Sequence, residues 1–169
     1  MRAIPFALCL LAAGCGIISF DIGQDIPEQK VMGSALGGAL GQLLPAPLKV
    51  TIDIKSQTEA MGTGPASKAL LKDLTLTATP HDTPSGNFNF LDEVHLYIEP
   101  ASGSALPKVE IATLKPVPKG QTTVTFAVVP NVNLLPYINE GSQITSSAKG
   151  APPTKDFTFD GHLTVTVKI

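Results

Sequence analysis

The sequence predicts an all-β protein, an antiparallel β-sandwich of about eight strands with one or two short helices. Three observations predict it. Successive stretches alternate apolar and polar residues with period two, the pattern of strands with one buried and one wet face. The polar positions in them are rich in threonine, which suits a pleated, half-exposed surface. Clusters of Pro, Gly, Ser and Asp separate the stretches, as turns do between short strands.

The first strand is expected around Ile18, Phe20 and Ile22. Residues 31 to 48 follow, with no charge between Lys30 and Lys49. Met32, Leu36, Leu40, Leu43 and Leu44 share a helical face opposite Gly33, Gly37 and Gly41. The segment reads as a glycine-weakened helix or a loop closing one end of the sandwich. Its glycines, Gln42, Pro45 and Pro47 make it a poor membrane span. Residues 48 to 55 give the cleanest strand pattern, Leu48, Val50, Ile52 and Ile54 alternating with Lys49, Thr51, Asp53 and Lys55.

Further strands follow at Leu74–Thr79, around Val94, Leu96 and Ile98, at Val109–Thr113, over Val124, Phe126 and Val128, and more weakly around Ile144. A short helix is predicted over Leu135–Glu140, with Pro136 in its first turn and Gly141 as its C-terminal cap. Asp160-Gly161 imitates a hairpin turn, but that register would put the phenylalanines on the face away from Leu163, Val165 and Val167. Phe157, Phe159, Gly161, Leu163, Val165, Val167 and Ile169 share parity, which predicts one long strand bent or bulged at Gly161. Phe88, Phe90, Asp92, Val94, Leu96 and Ile98 also share parity. A bulge near Leu91 is therefore expected to turn Asp92 outward. The whole resembles immunoglobulin-like folds in architecture, a resemblance that implies nothing about activity.

The chain has 169 residues, 43% hydrophobic and 15% charged, with 15 Gly and 15 Pro. That is one domain's length and too apolar for disorder. Arg2 is the only arginine; beyond residue 14 the chain carries 11 Lys against 14 Asp and Glu, interspersed, a net charge of −3. Without arginine beyond Arg2 and with its charges interspersed, the chain has no field to draw nucleic acid, which is excluded as a partner. There is no Trp and there are two Tyr, Tyr97 and Tyr137, too few aromatic platforms for sugars or single-stranded bases.

Residues 1 to 14 read as an export signal. Met1 and Arg2 supply positive charge, residues 3 to 13 form an apolar run of eleven, and Ala12, Ala13 and Gly14 precede Cys15. Eleven residues are too few for a bilayer span. The segment Leu11-Ala12-Ala13-Gly14-Cys15 resembles the lipobox of bacterial lipoproteins. That resemblance implies cleavage after Gly14, diacylglycerol on the Cys15 sulfur and acylation of the new amino terminus. The position three before the cysteine is Ala12 where leucine is commonest, a variant the pattern tolerates. Cys9 falls in the removed segment, so Cys15 is the sole thiol of residues 15 to 169 and no internal disulfide can form. Gly16 is not the aspartate that resembles an inner-membrane retention signal, and the outer membrane is favoured. The expected organisation is a cleaved signal at 1–14 and a single sandwich domain at 15–169, held on a membrane by acyl chains on Cys15.

No catalytic, cofactor-binding or metal-binding constellation is predicted. His81 lies in a turn, while His95 and His162 project from outer faces of different strands without ligand spacing. Gly62 to Ser67 imitates a dinucleotide loop with Asp82 downstream, but Ser67 replaces the third glycine and no βαβ unit surrounds it. Ser146 and Lys149 match a penicillin-interacting spacing, yet they fall in a strand without the accompanying motifs. Asp156 and Asp160 could ligate calcium between loops, although solvation is the commoner state of such a pair. The expectation is a non-enzymatic envelope lipoprotein serving as a structural or interaction module, with an envelope protein as partner. The alternative is a carrier of a lipid or other apolar ligand, suggested by the charge-free stretch at 31 to 48. Tyr97, outward beside His95, is a candidate contact residue.

Overall fold

The computed structural model describes residues 18–34, 36, 38–79 and 86–169. Among these it is an all-β sandwich of two antiparallel sheets with two short helices. The strands are β1 (Ser19–Val31), β2 (Leu48–Lys49), β3 (Lys68–Thr79), β4 (Leu91–Glu99), β5 (Val109–Leu114), β6 (Thr123–Thr125), β7 (Ala127–Val128), β8 (Gln143–Gly150) and β9 (Phe157–Lys168). The helices are α1 (Ile54–Ala60) and α2 (Leu135–Glu140). One sheet has the order β1-β9-β3-β6 and the other β2-β8-β4-β5-β7. The inner faces meet through Leu74, Leu76, Phe159, Leu163 and Val165 on one side and Val94, Leu96, Ile98 and Ile111 on the other, all at most 2% exposed.

Period-two patterning works wherever a strand is regular and fails where a bulge resets its phase. In β3, Ala69 and Leu71 face inward, and so do Leu74, Leu76 and Ala78. The register against β9 slips between Leu71 and Asp73, so Lys72 is the extra residue that changes parity. In β4 the slip lies between Leu91 and Glu93. It turns Asp92 out to solvent as expected, where Lys119 Nζ holds its carboxylate at 3.0 Å and the Leu91 carbonyl at 2.8 Å.

Strand β9 is a single strand through Gly161, as the shared parity predicts. Its pairing with β3 runs unbroken past Gly161, and the bulge falls on β1, between Ile26 and Gln29. Gly161 is needed because the backbone of β3 is close. A Cβ there would sit 2.5 Å from the Thr75 carbonyl oxygen and 2.6 Å from Leu76 Cδ2. The Val124–Val128 run is divided by Phe126, with β6 pairing β3 in one sheet and β7 pairing β5 in the other. This change of sheet makes nine strands out of the eight expected.

The strand expected over residues 48 to 55 is mostly absent. Only Leu48 and Lys49 pair, with Ile144 and Gln143. Burial still alternates, with Leu48, Ile52 and Ile54 inside, so the pattern reports a buried face correctly but not a ladder. Asp53 stops the extended run by capping α1. Its carboxylate accepts from Ser56 N at 2.9 Å and Ser56 Oγ at 2.6 Å, satisfying donors that a helix start leaves open.

Residues 31 to 48 form no helix among the described residues. The later part of the segment runs along the outer edge of β8. Leu40 N donates to Gly150 O, Ala148 N donates to Gly41 O, and Leu43 and Leu44 N both donate to Ser146 Oγ at 2.9 and 2.8 Å. It covers the part of the outer edge of β8 that β2 leaves open. Leu43 and Leu44 are buried, whereas Met32 and Leu36 are 67% and 99% exposed, which breaks up the proposed helical face. Helix α2 matches its expected bounds, and Gly141 adopts the left-handed cap at φ 76°.

Candidate functional site

Cys15 and Gly14 lie outside the described residues, as do His81 and Asp82. The other candidates are separated by the fold. Ser146 points inward as the acceptor for Leu43 and Leu44, while Lys149, three residues on, faces out and donates to Glu93. A nucleophile–lysine pair cannot form across opposite faces of one strand. Asp156 is held by Lys30 at 2.7 Å and by the Gly33 N–H at 2.9 Å. These partners keep its carboxyl below the usual range, the lysine contributing most. Asp160 stands in β9 opposite Thr77, and the two acids make no joint site. Gly62 to Ser67 is a loop between α1 and β3. Among the described residues no group of three or more His, Cys, Asp or Glu is placed to hold a metal ion.

The most organised polar cluster lies on the outer face of the second sheet. Alternation puts Glu93, His95, Tyr97 and Glu99 on that face of β4. Antiparallel pairing then brings β5 and β8 alongside. Glu93, only 9% exposed, is the hub. It accepts from His95 Nε2 at 2.6 Å, Lys115 Nζ at 3.1 Å and Lys149 Nζ at 3.1 Å. These donors, His95 foremost, hold its pKa down from 4.5 to about 2. The other ring nitrogen of His95 lies 3.0 Å from Glu110 Oε1. Ionised carboxylates only accept, so two such partners favour the doubly protonated imidazolium. The His95 pKa is accordingly raised, by Glu93 first and Glu110 second.

Tyr97 extends the same face. Its ring stacks beside His95 at 6.3 Å, and Lys108 Nζ sits 4.7 Å from its centroid. Lys108 also pairs with Glu99, which accepts from Thr145 Oγ1 at 2.9 Å. His95 therefore stands on the expected outer face but is not simply solvated: it is locked between two carboxylates. His162 lies on the other sheet, half exposed and 2.7 Å from Asp25. Sequence reasoning missed Glu93 as a hub. The available signal was the charged alternation of β4 followed by Glu110 and Lys115, once those strands are read as neighbours.

Chemically the cluster is saturated. Each ionic group at its centre is paired with at least one group of opposite charge. The grooves around the domain lie at its surface. One of about 460 Å³ is walled by Ile54, Thr58, Pro65, Ala66 and Leu135, between α1, the 63–66 loop and α2. Phe159, Leu163 and Val165 of the sandwich interior do not line it. Among the described residues no helix is long and apolar enough to cross a membrane.

No family model matches the chain, and no curated protein matches it. Among solved structures it is similar to the BFDV capsid protein. The decameric form is 9% identical, with 90% of this chain and 99% of that chain covered and a TM-score of 0.40. The 60-mer form is 10% identical, with 90% and 94% covered and a TM-score of 0.37.

Proposed function

We propose that this chain is a lipid-anchored module of the bacterial cell envelope, held through Cys15 and acting by contact with another envelope protein rather than by catalysis. The observation that carries the reading is the motif Leu11-Ala12-Ala13-Gly14-Cys15 behind a short apolar run. It is supported by the short separation in sequence between Cys15 and the first strand. Ser19 opens β1 four residues after Cys15, and four residues of chain reach at most about 14 Å. The sandwich is thus tied closely to its anchor, as a surface module would be. Gly16 favours the outer membrane. The Cys15→Ser variant tests this: it is expected to leave the membrane fraction, and a variant that stays after detergent-free washing overturns the reading.

The second reading, a binder of a lipid or other apolar ligand, rests on the groove between α1 and α2, whose walls include Ile54, Ala66 and Leu135. Native mass spectrometry of the chain purified from its own cells separates the two. A retained apolar adduct favours the binder, and its absence favours the interaction module.

A further inference from the structure

Two lysines face each other across the first sheet at its anchored end. The β3–β9 register places Lys68 directly opposite Lys168, and the β1–β9 register places Ser19 on the other side of Lys168. Their inward neighbours Ala69 and Val167 are both fully buried. Ser19, Lys168 and Lys68 therefore form the last row of the sheet's outer face. Like charges directly opposite each other weaken a ladder. Among the described residues neither lysine has a carboxylate partner, whereas Lys72, Lys108, Lys115 and Lys149 each do. Asp21, the acid one step inward along β1, is committed to Lys72 and Thr166.

The same row is flanked by apolar surface. Ile18 is 55% exposed, and its carbonyl accepts from Ile169 N at 3.0 Å. An unneutralised pair of cations beside an exposed isoleucine, within a few residues of an acyl anchor, has the chemistry of a lipid-headgroup contact. Anionic headgroups attract such lysines over a Debye length of about 8 Å, within the reach of the tether.

We propose that Lys68 and Lys168 form the membrane-contacting edge of the domain, binding phosphates of anionic phospholipids while Ile18 enters the headgroup layer. This rests on Cys15 being the anchor. It fixes the orientation of the sandwich: the Lys168 end of β9 lies on the bilayer and the Phe157 end points away.

The test uses the full chain with its native anchor, reconstituted into vesicles of phosphatidylcholine alone or with phosphatidylglycerol. Acetylation rates are read lysine by lysine by mass spectrometry. Lys68 and Lys168 are expected to react roughly fivefold more slowly on the anionic vesicles. Lys155, two residues before the opposite end of β9, a strand about 36 Å long, should react equally on both. Equal rates at Lys68 and Lys168 on the two vesicles overturn the proposal. Protection by millimolar inorganic phosphate without lipid also overturns it, in favour of a soluble anion. The K68Q/K168Q variant should still float with vesicles but lose the lipid dependence of amide exchange at the start of β1; unchanged dependence contradicts the contact. A wild-type chain that floats with neither vesicle, its Cys15 peptide bearing no acyl mass, overturns the anchor reading as well, and flotation detects this before any lysine is labelled.

Discussion

Glu93 and His95 stand two residues apart on one face of β4, with Glu93 Oε1 2.6 Å from His95 Nε2. The hub of this network is a carboxylate that the histidine and two lysines hold ionised. Removing its charge should release the histidine. In Glu93→Gln, the His95 titration followed by NMR is expected to move down toward the ordinary imidazole value of 6.5 from its raised wild-type position. An unchanged midpoint would mean that Glu110 alone holds the ring.

The same pair sets opposite limbs of a stability profile. The folded-state pKa of Glu93 is depressed from 4.5 to about 2. Its contribution is present above 4.5 and is lost as the pH falls toward 2. The His95 pKa is raised from 6.5, so its contribution is complete below 6.5 and is lost as the pH climbs through the raised value. Urea midpoints measured across pH should fall on both sides. Glu93→Gln should flatten the acid limb relative to wild type, and parallel acid limbs would contradict the assignment.

Gly161 marks the closest approach of β9 to β3. Because a Cβ there meets the Thr75 carbonyl at 2.5 Å, Gly161→Ala must shift backbone. The expected cost is about 1–3 kcal/mol, read by urea unfolding. A neutral effect would show that the two strands separate freely at this point.

Ser146 joins the covering segment to the second sheet. Ser146→Ala leaves the buried N–H groups of Leu43 and Leu44 without their acceptor, at about 1–3 kcal/mol for an unsatisfied buried donor. Limited proteolysis should then cut within residues 38 to 44 sooner than in wild type. Equal cleavage rates would mean that the bonds to Gly150 and Gly41 suffice to hold the segment.

The alternation of β9 and β4 made most of the sandwich legible, because a one-residue error would have exposed Phe159 or Leu163. Proline and glycine placed α2 for equally local reasons. What failed was long-range. Residues 48 to 55 bury the side that their pattern shows, but whether Val50 and Ile52 join a ladder depends on a neighbouring strand, and Asp53 caps a helix instead. The apolar residues of 31 to 48 resemble a helix face, yet Ser146, about a hundred residues away, fixes two of them against β8. Glu93 as a hub was hidden for the same reason: Lys115 and Lys149 reach it from other segments. For the anchor the relation is reversed, since Cys15 is read from sequence alone.

The proposed anchoring requires that Cys15 become an acylated amino terminus. Mass spectrometry of the amino-terminal peptide, from the full chain expressed in a bacterial host and extracted from its membranes, tests this most directly. The expected peptide begins at Cys15 and carries the mass of a diacylglycerol, with or without a further acyl group. A peptide that retains residues before Cys15, or one that begins there with a free thiol, would contradict it.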